Sequence, residues 1–352
     1  MFVRKLSAGL AAGALMGATV AVAAMGTAQA EPMRIRMQSA FSSGLPSLGE
    51  TGKHFAEQVT AATDGDLTIR FEEPGAIVGL GEIFGAVSSG SLDAGFSIPG
   101  YWSGINSAFH VLTGIPFGPD AITHMAWIEY GGGREIWTEL YAPHGVVPVP
   151  CGVVPPEASG WFRSEIKSVE DLNGLKMRFG GLGAEVVKKL GVSVVSLSGG
   201  EVFPNLERGV IDASEFATPA IDAILGMERV AKHYYFPGWH QQLAVLEFIV
   251  NKDVWDSMDD AQRAAIESGC RSAIVHSLLK GTSEQAGPLR KFQEAGVTVH
   301  TWSDEILKAL EAATKDVMAE QSGENPDFER LYQSLTGFAT EVDTWKSRAY
   351  LK

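Results

Sequence analysis

An arginine and a glutamate stand at the ends of two predicted strands in the middle of the sequence. Arg178 ends the strand predicted within "LKMRFGG", and Glu215 follows the strand predicted within "GVIDASEF". Open α/β sheets bind ligands outside the carboxyl ends of their strands, so both side chains are expected at one cleft. A guanidinium there can bind a carboxylate through two parallel hydrogen bonds. Pairing of Arg178 with a nearby Asp or Glu is the alternative.

The second of these residues, Glu215, would add an anion beside a bound acid. Two anions and one guanidinium favour a further positive charge, which a hard cation with oxygen ligands, sodium or calcium, supplies. The histidines are scattered and form no His-x-x-x-His pair, so no zinc site is predicted. His233 and His240 flank aromatic residues and are interpreted as structural.

The segment that carries Glu215 repeats an earlier segment of the chain. "GEIFGAVSSGSLDAGFS" (residues 81–97) and "GEVFPNLERGVIDASEF" (residues 200–216) share Gly-Glu-x-Phe, a later Gly and Asp-Ala. Each copy predicts a short helix, a left-handed glycine (Gly90 or Gly209) and a parallel strand. Two similar α/β lobes facing one cleft would explain the repetition; a chance match of a common local pattern is the alternative.

The two copies predict the same packing but differ in chemistry. The inward faces of their helices are expected at Phe84 with Val87, and at Phe203 with Leu206. After Asp-Ala the first copy ends in Gly95-Phe96, whereas the second ends in Glu215-Phe216. The added carboxylate is therefore the predicted ion ligand.

The elements around these segments predict an α/β protein of two domains. Strand and helix patterns alternate, which indicates parallel sheets built from β-α-β units. "GVVPVPCGVVPP" is extended and rich in Pro, so it suits an exposed edge or crossover strand. From residue 259 the chain is mostly helical.

The first thirty residues predict export. Arg4 and Lys5 precede a small and apolar run that ends in the cleavage box Ala28-Gln29-Ala30, which is typical of a signal peptide. A membrane anchor is the alternative. No Cys follows the box to carry a lipid, so an exported, freely diffusing protein beginning near Glu31 is expected.

Composition limits the partners and the redox state. The chain carries a net charge of −14, which disfavours nucleic acid and anionic membranes as partners. The only cysteines, Cys151 and Cys270, lie in a predicted strand and a predicted helix, and two buried free thiols are favoured over a disulfide.

Signals for enzymes are weak. No Gly-x-Ser-x-Gly occurs, and "GGLGAE" (residues 180–185) is interpreted as a turn that begins a helix rather than a dinucleotide loop. The aromatic residues of "GYWSG" (residues 100–104) and "YYFPGWHQQ" (residues 234–242) belong either to the core or to a ligand wall, and Tyr101 is assigned to the wall.

Four segments in order, "GWFR", "LKMRFGG", "GGEVFPNLERGVIDASEF" and "HYYFPGWHQ", resemble the extracytoplasmic solute receptors of TRAP (tripartite ATP-independent periplasmic) transporters. The similarity is strongest to the branch that binds 2-oxo acids and lactate. It implies a two-domain periplasmic binding protein fold (type II-like), whose hinged lobes close over a small carboxylate. The expected divisions are a signal peptide at 1–30, lobe I at 31–155 plus about 243–283, lobe II at 156–242 plus about 284–310, and a C-terminal helical extension at 311–352.

The resemblance also implies roles for site residues. Arg178 would pair with the ligand carboxylate, and Glu215 with the main-chain carbonyl of Phe216 would hold a metal ion. The position of Glu157 usually carries Gln and contributes to ion and ligand, while the position of Gln241 usually carries Glu; here the two are exchanged. The position of Phe216 usually carries Trp, so a smaller wall is expected.

Two further expectations follow from the resemblance. With Glu157 and Glu215 both near the ion, we predict a shift of preference from sodium towards calcium. Some members of the branch exchange a long C-terminal helix between two chains; the helical pattern at 303–350 would permit this, so the resemblance implies a homodimer through this helix.

The predicted function is therefore a periplasmic receptor, without catalytic residues. It would bind a small 2-oxo or 2-hydroxy monocarboxylate, such as pyruvate, 2-oxobutyrate or lactate, with a metal ion and deliver it to TRAP membrane subunits. Two alternatives remain open: an exported enzyme with Glu157 or Glu215 as general base, and a receptor that presents its ligand to a membrane sensor.

Overall fold

The computed structural model describes residues 32–197 and 199–350, and the predicted signal peptide lies outside them. No helix within these ranges has both the length and the apolar character needed to cross a membrane. The strands are β1 (Met33–Ser39), β2 (Leu67–Glu72), β3 (Ala94–Ser97), β4 (Val146–Val154), β5 (Gly160–Phe162), β6 (Lys176–Arg178), β7 (Ser193–Val195), β8 (Ala213–Ser214), β9 (His233–Phe236), β10 (Ala244–Asn251) and β11 (Thr298–Thr301). The helices are α1 (Gly49–Ala62), α2 (Ile83–Ser88), α3 (Phe109–Thr113), α4 (Ala121–Tyr130), α5 (Gly133–Tyr141), α6 (Gly181–Lys189), α7 (Gly199–Glu207), α8 (Pro219–Leu225), α9 (Lys252–Ser257), α10 (Asp260–Ser283), α11 (Ala286–Glu294), α12 (Asp304–Glu324) and α13 (Pro326–Ala349).

The strands form two sheets. The first has the order β2-β1-β3-β10-β4 and the second the order β11-β9-β5-β8-β6-β7. The β-α-β units pair in parallel, as predicted, but β10 and β5 run antiparallel to both of their neighbours. The prediction of parallel sheets is thus wrong at these two strands. Each adjoins a stretch in which the chain crosses between the sheets, at residues 155–159 or 237–243.

The Pro-rich strand β4 lies at the edge of the first sheet, as predicted, yet it is not exposed. Helix α10 packs across β4, and residues 148–154 are buried beneath it. The ring of Pro150 removes a backbone donor from a strand that pairs on one side only, where the loss is tolerated. Covering by a helix also shields the edge from pairing with another chain.

The expectation of two free thiols is wrong. Cys151 on β4 and Cys270 on α10 form a disulfide, with their Cα atoms 4.2 Å apart. Both residues are fully buried in the core between the first sheet and helices α1 and α10. The pairing depends on how α10 crosses the sheet, which is a tertiary property that strand and helix patterns do not contain.

The repeated segment forms the same structure twice. Helix α2 is followed by Gly90 at φ +74° and strand β3, and helix α7 is followed by Gly209 at φ +68° and strand β8. In the first copy Phe84 and Val87 are buried as predicted.

The second copy departs from the predicted packing at one position. Val202 and Leu206 form its buried face, and Phe203 is only partly buried, with the guanidinium of Arg229 4.6 Å from its ring centre. The Phe203 assignment is therefore wrong, because the buried face begins one residue earlier.

The C-terminal helices connect both halves of the molecule. Helix α12 packs against α6 beside the second sheet, and α13 returns to pack on α3, α4 and α5 beside the first. The break lies at Asn325, whose side chain accepts from the backbone of Asp327 and Phe328 as an N-cap. Phe328, Leu331 and Leu335 of α13 are fully buried in the same chain.

Candidate ligand and metal site

A cavity of about 410 Å³ lies between the two sheets and collects the predicted site residues. Arg178 ends β6, and Glu215 follows β8, which pairs in parallel with β6 so that Arg178 lies opposite Ser214. Glu157 and Gln241 come from the two crossing segments. All four side chains line the cavity, as do Tyr101 and Phe216.

Arg178 makes a close ion pair with Glu215. Its Nη1 donates to Glu215 Oε2 at 2.6 Å and to the Glu215 carbonyl at 2.7 Å. No acceptor for its other guanidinium nitrogens is found among the described residues, and its side chain keeps 21% of its surface exposed. The guanidinium also lies 5.3 Å from the ring centre of Phe216. Arg178 therefore retains donors for an anion in the cavity.

Glu157 is held between the two crossing segments. Gln241 Nε2 donates to Glu157 Oε1 at 3.2 Å, and the Glu157 backbone N–H donates to the Gln241 carbonyl at 3.3 Å. Its other oxygen, Oε2, lies 3.3 Å from Nε2 of His240. The exchange of Glu and Gln at these positions thus leaves the two side chains in direct contact.

His240 is a site residue that the sequence interpretation missed. The sequence interpretation gives it a structural role, yet its Nε2 lies 3.8 Å from Glu215 Oε1 as well as close to Glu157, and it lines the same cavity. Its position directly before Gln241 was the available signal. His233, by contrast, contacts Nε2 of His300 through its Nδ1 at 2.9 Å and does not line this cavity.

Burial and mutual charge shift the pKa values of the cluster. Burial raises the pKa of Glu157 to about 7, and the charge of Glu215 acts in the same direction. Burial alone would raise the pKa of Glu215, but the Arg178 guanidinium and His240 hold it below its usual value. Burial opposes charge on His240, yet the two neighbouring carboxylates raise its pKa to about 9. The environment thus favours positive charge beside these carboxylates.

The donor set fits a metal ion. Glu157, Glu215 and His240 each present a ligand atom within 4.8 Å of the others, and all three are buried. Carboxylate oxygens suit sodium and calcium, and the carbonyl of Phe216 accepts no hydrogen bond from the residues in the described ranges. Oxygen donors for the predicted hard cation are therefore present, together with an unpredicted nitrogen.

The remaining wall of the cavity comes from the half that contains the first sheet and is mostly apolar, with Ser103, His110 and Thr113 among its polar residues. Tyr101, in the turn Pro99–Trp102, lies at this side with 43% of its surface exposed. The apolar lining residues on this side are Phe41, Leu45, Leu48, Ile98, Val154 and Ala244. A polar end near Arg178 and an apolar end opposite fit a small amphipathic acid.

Two α/β halves linked by crossing segments, with a cavity between them, define a two-lobed solute-binding protein. The chain belongs to the family of bacterial extracellular solute-binding proteins, family 7, whose model matches residues 38–324. The match covers the second sheet, the crossing segments and every strand of the first sheet except most of β1.

Characterised relatives are similar over most of the chain. The monocarboxylate 2-oxoacid-binding periplasmic protein of Nostoc sp. (strain PCC 7120) is 31% identical over 290 residues, 82% of this chain and 80% of that protein. A TRAP transporter solute-binding protein from Bordetella bronchiseptica is 34% identical with a TM-score of 0.87, covering 91% of this chain and 95% of that one. Its crystal structure is a mixed-occupancy dimer with copurified calcium and picolinate in one active site and an apo site.

A second similar solved structure contains sodium where the first contains calcium. The TRAP periplasmic solute-binding protein of Pseudoalteromonas atlantica, with bound sodium and pyruvate, is 30% identical with a TM-score of 0.85. The similarity covers 91% of this chain and 97% of that one. Homologues thus bind either ion together with a small carboxylate.

Proposed function

We propose that this protein is the solute receptor of a TRAP transporter and binds a small 2-oxo or 2-hydroxy monocarboxylate together with a metal ion. Pyruvate, 2-oxobutyrate and lactate are the candidate ligands. The observation that carries the proposal is the convergence of Arg178, Glu157 and Glu215 in one cavity between two lobes. The relatives that bind pyruvate or 2-oxo acids support the same ligand class.

Each residue has a distinct role in this proposal. The free donors of Arg178 bind the ligand carboxylate, while Gln241 and Tyr101 contact the ligand from the crossing segment and the opposite lobe. Glu215, the carbonyl of Phe216 and Glu157 hold sodium or calcium. The ion supplies positive charge for the ligand's oxygens when it is bound.

The lobes and the cellular setting form part of the same proposal. We assign lobe I to residues 31–155 plus about 243–283, lobe II to 156–242 plus about 284–310, and 311–352 to a C-terminal extension. The strands of the first sheet fall in 33–154 and 244–251, and those of the second in 160–236 and 298–301, which supports this division. Residues 1–30 act as a cleaved signal peptide and direct the receptor to the periplasm.

The partners are the membrane subunits of the transporter, to which the closed receptor delivers its ligand unchanged. A homodimer through the C-terminal helix is also proposed. In the structure α13 packs on its own chain, with Trp127 donating to Ser334 at 3.0 Å, so exchange would require α13 to leave this surface.

A thermal-shift screen tests the proposed function. Purified protein is measured with pyruvate, 2-oxobutyrate, lactate, acetate and a sugar, each in sodium, in calcium and in chelator. The proposal expects a rise in Tm with 2-oxo or 2-hydroxy acids that depends on the ion, since ligand bound only to the folded state stabilises it. No shift with any acid in any ion would contradict it, and conversion of the acid would favour an exported enzyme.

A further inference from the structure

His110 brings an imidazole to the cavity from the half that contains the first sheet. It lies on the short helix α3, and its side chain is partly buried in the cavity wall. Neither ring nitrogen has a hydrogen-bond partner among residues 32–197 and 199–350. Thr113, by contrast, uses its hydroxyl locally, since Oγ1 accepts from the Gly100 N–H at 2.7 Å and donates to the Phe109 carbonyl at 3.3 Å. The imidazole of His110 therefore keeps its hydrogen-bonding groups for an occupant of the cavity.

Two glycines make room for this ring on either side. A Cβ at Gly100 would lie 3.0 Å from Thr113 Oγ1 and 3.3 Å from His110 Nδ1, so the absence of a side chain there eases the close approach of the turn to α3. On the opposite side, a Cβ at Gly181 would lie 4.0 Å from His110 Cε1. Gly181 begins α6, in the half that contains the second sheet. His110 thus faces the other half of the molecule across the cavity.

The position of His110 is distinct from the charged end of the cavity. The charges of Arg178, Glu157 and Glu215 all act on the pKa of Tyr101. Burial lowers the pKa of His110 to about 4, and among the described residues only the charge of Glu185 acts against this shift.

The charge state of the ring limits what it can bind. With its pKa lowered by burial, the imidazole is neutral at pH 7 and presents one N–H donor and one acceptor nitrogen. A neutral ring offers no counter-charge to a second carboxylate of the ligand. It suits a neutral polar group instead.

A hydroxyl on the ligand fits this requirement. An aliphatic ligand that displaces water from the ring would leave a buried donor and acceptor unpaired, which costs free energy. A hydroxyl both donates and accepts, so it can pair with either tautomer of the imidazole. Sites built to hydrogen-bond a hydroxyl discriminate against the analogue that lacks it.

We propose that His110 is a specificity-determining residue that hydrogen-bonds a hydroxyl on the side chain of the ligand, so that hydroxylated 2-oxo acids bind more tightly than aliphatic ones of equal size. The inference rests on the proposed function for the carboxylate and ion end of the cavity. The rival explanation is that the ring is only part of the wall and that water hydrates its nitrogens with or without a ligand.

Two pairs of acids that differ by a hydroxyl in place of a methyl group test the inference. They are hydroxypyruvate with 2-oxobutyrate, and 4-hydroxy-2-oxobutyrate with 2-oxovalerate. Each acid is titrated calorimetrically into the wild type in sodium and in calcium. In at least one pair the hydroxylated acid should bind about fivefold more tightly, the contribution of one net hydrogen bond. This comparison needs no variant and so does not depend on how a variant folds.

Three variants assign the preference to the imidazole. His110→Phe keeps an aromatic ring without nitrogens and should abolish the preference, whereas His110→Gln supplies a donor and an acceptor and should retain part of it. The control His276→Phe changes another partly buried histidine, on α10 and outside the cavity, and should keep the wild-type preference. The quantity compared is the ratio of the two affinities within each protein, which a smaller folded fraction does not alter.

The outcomes separate this inference from the proposed function. Equal or tighter binding of the methyl member in both pairs, or an unchanged ratio in His110→Phe, would overturn the inference and leave the proposed function intact. If no acid binds in either ion, the proposed function fails and this inference fails with it.

Discussion

The two carboxylate oxygens of Glu215 contact different residues. Oε2 accepts from Arg178 at 2.6 Å and Oε1 faces His240. The sequence left open whether Arg178 pairs with a ligand or with a local acid. The structure shows the local pair, and the free donors that remain on Arg178 make the ligand role compatible with it.

Replacing Glu157 by Gln tests whether the Glu at this position, where the resemblance implies Gln, affects the preference for calcium over sodium. Glu157→Gln removes one of the two carboxylates assigned to the proposed ion site, so calcium-dependent ligand affinity should fall by about tenfold or more relative to sodium-dependent affinity. The measurement is pyruvate affinity in each ion. Glu165→Gln, which alters a more exposed carboxylate with 43% side-chain exposure, is the control. An unchanged calcium-to-sodium ratio would rule out a role of Glu157 in ion preference.

At the scale of elements, strand β10 carries a buried carboxylate outside the ligand site. Glu247 accepts from Trp102 at 2.6 Å, Ser97 at 2.9 Å and Tyr141 at 3.0 Å, and burial raises its pKa to about 7. The folded state therefore holds this proton at pH values where the unfolded chain, with a pKa of about 4.3, has lost it.

The sign of the resulting pH effect follows from linkage. The contribution of protonated Glu247 is complete below about pH 4 and is lost as pH rises through about 7, since the folded state binds more protons in that window. Glu247→Gln should thus gain stability relative to wild type between pH 5 and pH 8. Free energies of unfolding in urea at both pH values check this, and parallel pH dependence in the two proteins would contradict it.

The disulfide ties two other elements together. It joins β4 to α10 across 119 residues of sequence. Closing so long a loop restricts the unfolded chain, so Cys151→Ala with Cys270→Ala should reduce the free energy of unfolding by about 2–4 kcal/mol. Denaturant unfolding of both proteins under oxidising conditions provides the measurement. Equal stability would mean that the unfolded state is not restrained by this bond.

The sequence patterns predicted the local structure of helices and strands better than they predicted how these elements pack together. The repeated segment gave both helix-glycine-strand units because left-handed glycines and apolar spacing act locally. Three features were not predicted: the partial exposure of Phe203, the disulfide, and the antiparallel direction of β5 and β10. Each of them depends on contacts with a distant part of the chain.

For the whole molecule, the crossing segments are the important feature. Glu157 lies in one and His240 and Gln241 in the other, so a ligand or ion bound there contacts the connections between the lobes as well as the second sheet. Binding at such a position would favour one arrangement of the lobes over another.

The same feature explains which site residues were predictable. Arg178 and Glu215 follow from strand ends, whereas Glu157 and Gln241 entered through resemblance to a family. His240 was missed because a single histidine among aromatic residues forms no motif of its own. Its one signal was its position beside Gln241, and the return of the chain at 237–243 brings it to the carboxylates.

The most direct test of the receptor account is a calorimetric titration of pyruvate and 2-oxobutyrate into wild type, Arg178→Ala and the control Arg290→Ala, in sodium or calcium. Arg290 is exposed on α11, far in sequence from the cavity residues. Wild type and Arg290→Ala should bind an acid in an ion-dependent way. Arg178→Ala should lose roughly 3 to 5 kcal/mol of binding free energy, because the buried carboxylate would lack its partner. Equal binding by Arg178→Ala, or binding to none of the proteins, would contradict the account.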